Sequence, residues 1–391
     1  MFDALDSPQS IAAVWIGLAL LASLVSIRLG ISVALMEIFA GVFGGNVLSL
    51  ETNEWINFVA GFGSVVLTFL AGAEVEPEVL RRRLKETLSI GLVSFAAPFL
   101  GAFFFAWIAA GWELKAAEIA GLALSTTSVA VVYAVMVETG LNETQLGKII
   151  LAACFVTDLG TVVMLSVLFA NFDEWLAVFV VVSIPVLILF PRFSRWFFDQ
   201  LRGRASEPEI RLLFMLLLGL GGLAVAARSE AVLPAYLLGM AAAGLMVRER
   251  QMVQRLRAIT FGLLTPFFFL RAGTLIQLGA VFSSAGLIGA FLIVKLVTKF
   301  VSVQPMTEYF RFGRRRGLYT SLLMSTGLTF GTISALFGLN NGIIDREQYT
   351  ILVTGVILSA VLPTLVAQQF FQPTVESAAM AGPREEVVDN V

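Results

Sequence analysis

Apolar runs of roughly 18 residues or more, each long enough to cross a hydrocarbon core, recur from one end of this 391-residue sequence to the other. A chain surrounded by lipid must satisfy its backbone hydrogen bonds internally, so runs of this kind fold as helices. Hydrophobic residues make up 58% of the sequence and charged residues 14%, against about a quarter charged in soluble domains. The single cysteine, Cys154, excludes an intrachain disulfide. There is no histidine, so proton chemistry near neutrality falls to carboxylates or lysines. The sequence carries no nucleotide-binding, metal-ligand or nucleophile constellation. We therefore expect neither an enzyme nor a resident cofactor, with the lipid bilayer as partner and no nucleic acid.

Windows of about 19 residues place helices near 11–28, 31–50, 55–74, 87–111, 116–138, 146–171, 174–194, 210–228, 231–247, 258–278, 280–303, 317–338 and 347–370. This is an all-α polytopic membrane protein of about 13 transmembrane helices. After 371 the chain turns polar and rich in Pro, Ala and Glu, and 371–391 is expected to be a short disordered tail.

The lysines and arginines set the orientation. With the N-terminus outside, nearly all of them fall on the cytoplasmic side. Only Lys115, Arg228 and Arg346 fall outside, and Arg271, Lys295 and Lys299 sit within apolar segments. The positive-inside rule then gives a multi-pass inner (plasma) membrane protein with its C-terminus in the cytoplasm. An odd helix count lets two six-helix units of inverted topology flank a linker helix, 174–194, a common plan of secondary transporters.

A charge inside an apolar span is costly and marks a candidate site. Asp158, in the run from Ile149 to Leu165, is the clearest. Removing a carboxylate from water disfavours its bare charge, so it holds either a proton or a cation. That competition is itself an exchange mechanism; the alternative is a structural acid paired with a neighbouring base. Lys295 and Lys299, four residues apart, share one helix face, unless one or both reach to the interface. Arg271 interrupts Pro266–Gly273, with Glu37 as a possible counterpart.

Two segments look internally broken. Ser125, Thr126, Thr127 and Ser128 are four consecutive hydroxyls in an apolar span, and Ser325, Thr326, Gly327 and Thr329 form a similar stretch. Such residues let a helix unwind at depth and turn its ends toward an ion, or serve ordinary close packing. They occupy corresponding places, the fifth helix of each six-helix unit.

These stretches resemble the monovalent cation/proton antiporters that include the NapA-type sodium/proton exchangers and the Kef-type potassium/proton systems. The likeness rests on Met36–Gly45, on Phe69–Glu74, on Leu124–Val129, on the pair Thr157 and Asp158, and on Pro266–Gly273, in that order, and it covers about 31–370. It implies a homodimer, with a dimerisation part at 11–74 and 210–278 and an ion-transporting core at 87–171 and 280–370. It places Asp158 at the essential carboxylate and Lys299 at the core lysine. Thr157 stands where electrogenic members carry a second acid.

The resulting expectation is Na⁺/H⁺ exchange by alternating access, electroneutral because the acid stands alone, with Thr157, Thr127 and Ser128 offering oxygen ligands to the monovalent cation at Asp158. Lys299, Lys295 and Arg271 would compensate charge. A K⁺/H⁺ antiporter is the alternative, followed by a gated cation channel or a transporter-like sensor.

Overall fold

The computed structural model describes residues 7–29, 33–73, 83–142, 144–169, 174–201, 206–227 and 231–374. Every regular element among them is helical. The first stretch holds α1 (Pro8–Leu29), α2 (Val33–Asn46), α3 (Glu54–Ala73) and α4 (Leu84–Phe104), the last continuing through a π turn at Phe105–Ala109. Next come α5 (Leu114–Ser125), α6 (Val129–Glu138), α7 (Gln145–Phe169), α8 (Glu174–Leu201), α9 (Pro208–Ala226) and α10 (Val232–Arg248). Helix α11 (Arg250–Ile259) runs through a second π turn, Thr260–Leu264, into α12 (Thr265–Thr274). The remainder is α13 (Leu278–Ser283), α14 (Ala285–Tyr309), α15 (Arg314–Met324), α16 (Thr329–Asn340) and α17 (Arg346–Val366).

Each apolar segment read from the sequence is occupied by at least one of these helices, and 116–138, 280–303 and 317–338 by two. Ten helical spans among the described residues are long and apolar enough to cross a membrane, with α11–α12 and α15–α16 each counted as one, and α2 and α10 are shorter apolar helices. The boundaries shift in several places: α2 stops at Asn46 rather than 50, α8 runs on to Leu201 rather than 194, and two further differences have a clear cause. The span expected at 258–278 begins at Arg250, because α11 is amphipathic: Met252 and Leu256 are buried while its arginines face outward. The span expected at 280–303 breaks at Ser284, and α14 then runs on to Tyr309 through Pro305. Glu74, Arg81, Arg82, Arg202, Arg204, Arg228 and the tail from 375 onward lie outside the described residues.

The chain divides into two compact units, Met1–Val75 with Val162–Gly279, and Glu76–Thr161 with Ala280–Val391. The division passes through α7.

In the first unit, lipid on the outside removes most of the hydrophobic drive for helix association, so close packing has to supply it. Small residues make that approach possible. A side chain on Gly41 would run into the Leu270 carbonyl, and one on Gly273 into the Ile38 carbonyl, so α2 and α12 touch backbone to backbone. Elsewhere in this unit Val66, Phe69, Leu213, Leu217, Leu238 and Leu256 belong to one apolar core. Asn46 ends α2 by donating to the carbonyls of Val42 (2.9 Å) and Ile276 (2.8 Å).

In the second unit, α4 packs on α5 and α14, α5 on α16, and α14 on α15 and α17. The sequence of α14 explains its setting. Ile293, Val297 and Val301 face outward, while Lys295, Lys299 and Val303 are fully buried on the opposite side. Ile90, Ile150, Ala153, Cys154, Val303, Tyr319 and Met324 fill the core beneath. At the start of α17 the Asp345 carboxylate accepts from the Gln348 amide (2.8 Å) and the Gln348 side chain accepts from the Asp345 amide (3.0 Å), a reciprocal cap.

Candidate ion site

The second unit contains two interrupted helices. Helix α5 ends at Ser125, Thr126 is extended (φ −66°, ψ 154°), and α6 starts at Val129. Helix α15 ends at Met324, the backbone opens through Leu328 (φ −153°, ψ −75°), and α16 starts at Thr329. The hydroxyls in these stretches take up carbonyls that the unwinding would leave unpaired. Ser125 donates to Leu122 O (2.9 Å), Thr126 to Ala123 O (3.2 Å), Ser325 to Ser321 O (2.7 Å) and Thr326 to Leu323 O (2.8 Å). Ser128 accepts from the Val131 amide (3.4 Å) at the start of α6. Thr329 is half-buried at the start of α16.

The two breaks meet. The Ser128 amide donates to Thr326 O (3.2 Å), and the Thr127 hydroxyl donates to Met324 O (2.9 Å). Two helix C-terminal ends and two N-terminal ends are thereby gathered in one place, carrying partial negative and positive charge respectively.

Among the described residues of this unit, three charged side chains are no more than 1% exposed. Lys299 Nζ donates to Ser94 Oγ and to Thr127 Oγ1, each at 2.9 Å, tying α14 to α4 and to the first break. Asp158, on α7, is 1% exposed, and its Oδ1 has no hydrogen-bond partner. Neither lysine of α14 donates to it: Lys299 bonds to Ser94 and Thr127 instead. Lys295 Nζ is likewise buried without a partner. Thr157, beside Asp158, turns its hydroxyl proton back onto its own helix, to Cys154 O (2.7 Å), leaving only oxygen lone pairs to face a neighbour. An unpaired buried carboxylate oxygen is expensive, and a proton or a dehydrated cation would relieve that cost.

Thr127, Ser128, Ser125, Thr126, Ser325, Thr326, Gly327, Thr329, Thr157, Asp158, Lys295 and Lys299 all belong to this unit. Arg271 belongs to the other, where its Nε donates to Asn57 Oδ1 (2.6 Å). Glu37 is buried on α2, also in that unit. Two residues at the breaks went unread in the sequence. Ser94 on α4 and Ser359 on α17 each lie on an apolar helix that carries other hydroxyls, and nothing local distinguishes either from a packing serine.

The family described as sodium/hydrogen exchanger, transmembrane, matches residues 16–372. The chain is 25% identical over 354 residues to a probable Na⁺/H⁺ antiporter 3 of Methanocaldococcus jannaschii, covering 87% of this chain and 89% of that protein. It is 24% identical over 366 residues to the Na⁺/H⁺-K⁺ antiporter GerN of Bacillus cereus, covering 88% and 90%. In fold it is similar to the sodium proton antiporter MjNhaP1 of Methanocaldococcus jannaschii at pH 8, with a TM-score of 0.70, 15% identity, and coverage of 95% of this chain and 98% of that one. A match spanning nearly the whole length of the sequence settles the family: this chain belongs to the transmembrane sodium/hydrogen exchangers.

Proposed function

We propose that the protein exchanges Na⁺ for H⁺ across the plasma membrane, and that Asp158 carries each in turn. The observation that carries this reading is the Asp158 oxygen buried without a partner in a unit whose two helix breaks meet. A cation at Asp158 would draw on hydroxyl oxygens from Thr157, Thr127 and Ser128, with Lys299 answering the carboxylate charge when the cation has gone. The second unit is the moving body, exposing Asp158 to one side of the membrane and then the other. The first unit pairs two copies into a dimer. The N-terminus lies outside and the C-terminus in the cytoplasm, following the lysine and arginine distribution.

With one carboxylate in the exchange, a proton and a monovalent cation neutralise the same site, so the exchange is one for one and electroneutral. Potassium is the second cargo to consider, because GerN is named for both ions. The test is a pH-dye assay in everted vesicles with Na⁺, K⁺ and Li⁺ added in turn. Na⁺-dependent proton movement supports the proposal, and a response to K⁺ alone transfers it to potassium. No response to any of the three contradicts it.

A further inference from the structure

Lys295 is a buried charged group of the second unit that this exchange scheme leaves without a task. It is fully buried and its Nζ makes no hydrogen bond. A buried ammonium without an acceptor is strongly disfavoured, so a lysine placed here calls for acceptors within reach. They lie around the second break, on the first break and on α17. Gly327 lies in the unwound stretch between α15 and α16, and the Lys295 head group fills the space that a side chain at 327 would occupy. Ser359 Oγ and Thr126 Oγ1 each lie 3.2 Å from that same point.

The hydrogen-bond directions fix what this niche can hold. Thr126 has given its proton to Ala123 O (3.2 Å), and Ser359 has given its own to Val356 O (2.7 Å). Both oxygens therefore turn lone pairs toward the space, which suits a cation and repels an anion. Gly331, one turn further along, clears a second side: a side chain there would stand 3.0 Å from Thr126 Oγ1 and 2.7 Å from Ala123 O. The niche thus joins α14, the end of α5, the second break and α17.

We propose that Lys295 is a tethered cation, its head group docking between Thr126 and Ser359 at Gly327 in one state of the transport cycle and withdrawing in the other. Lys299 is already held by Ser94 and Thr127, so the two lysines have separate tasks: one stands by the carboxylate, and the other holds the meeting point of the breaks in register. Lys295 is a positioning residue, acting on the hinge rather than on the cargo. The inference rests on the reading of this meeting point as part of the ion site.

The test measures KM for Na⁺ and Vmax in proteoliposomes for Lys295→Met, Lys295→Arg, Gly327→Ala and the Lys295→Met/Gly327→Ala pair, each normalised to the folded protein recovered. Lys295→Met should lower Vmax about tenfold, as for loss of a charged hydrogen bond, with KM changed by less than about twofold. Lys295→Arg, which keeps the cation, should retain more rate than Lys295→Met, the better match in volume. Gly327→Ala should slow the wild type yet add little to Lys295→Met, since both remove the same docking. Additive losses, Met equalling or exceeding Arg, or a raised KM at full Vmax would each overturn the proposal. If Lys295→Met does not fold, Ser359→Ala removes an acceptor with the lysine intact; reduced Vmax at constant KM supports docking, and wild-type kinetics contradict it. An inactive Asp158→Asn beside a wild-type-like Lys295→Met would refute this inference alone, whereas an active Asp158→Asn would remove the ion-site reading beneath it.

Discussion

Lys299 donates a hydrogen bond to Thr127, whose own hydroxyl proton is already committed to the carbonyl of Met324. The direction of the contact is therefore fixed. Thr127 can only accept from the lysine, and it connects the lysine to the end of α15. A hydrogen bond to a charged group contributes about 1.5–3 kcal/mol, so this link is a substantial constraint on where Lys299 stands relative to both breaks.

Thr127→Val keeps the shape of the side chain and removes both links. We expect the apparent KM for Na⁺ to rise about tenfold, the lower end of what one charged hydrogen bond supplies, while Vmax changes less. Initial rates of sodium-driven proton movement at graded Na⁺ measure this. An unchanged KM would mean that Thr127 serves packing alone.

Ser94→Ala removes the other acceptor of Lys299. Alone it should weaken exchange modestly, because Thr127 remains. Combined with Thr127→Val, the loss should exceed the product of the single effects, since the pair strips a buried lysine of both acceptors. Multiplicative behaviour in the same rate assay would show that the two hydroxyls act independently.

The packing of the first unit makes a prediction about stability. Gly273→Leu would drive a side chain into the Ile38 carbonyl, whereas Gly219 has nothing within 4 Å of its added Cβ. Overpacking costs about 1–3 kcal/mol, so Gly273→Leu should lower the melting temperature by several degrees and Gly219→Leu should hardly change it. Thermal unfolding followed by gel filtration with fluorescence detection compares them.

Charge counting gives the next prediction. If Asp158 alone alternates between proton and cation, a Na⁺ jump on a solid-supported membrane should produce no sustained current, and an imposed potential should not change the exchange rate. A steady, voltage-sensitive current would require a second proton. Its loss in Lys299→Gln, with exchange retained, would assign that proton to Lys299.

The helices could be read from the sequence because each long apolar run from Pro8–Leu29 to Arg346–Val366 has no other way to satisfy its backbone in lipid. The interruptions at 126–128 and 325–328 were also written into the residues, since hydroxyls and glycine are what an unwound stretch needs at depth. Averaging over a window hid the amphipathic start at Arg250, where arginines outnumber the buried Met252 and Leu256. Side-chain direction was beyond reach altogether. That Thr157 turns onto Cys154 O, that Lys299 finds Ser94, and that Lys295 faces Gly327 all depend on contacts between segments far apart in the chain.

The most direct test of the account is Asp158→Asn, which preserves the side-chain shape and removes both charge and titration. Purified in folded form and reconstituted, it should show no Na⁺-dependent proton movement at any Na⁺ concentration or pH where the wild type is active. Exchange at the wild-type rate from that variant would contradict the claim that Asp158 carries the ion.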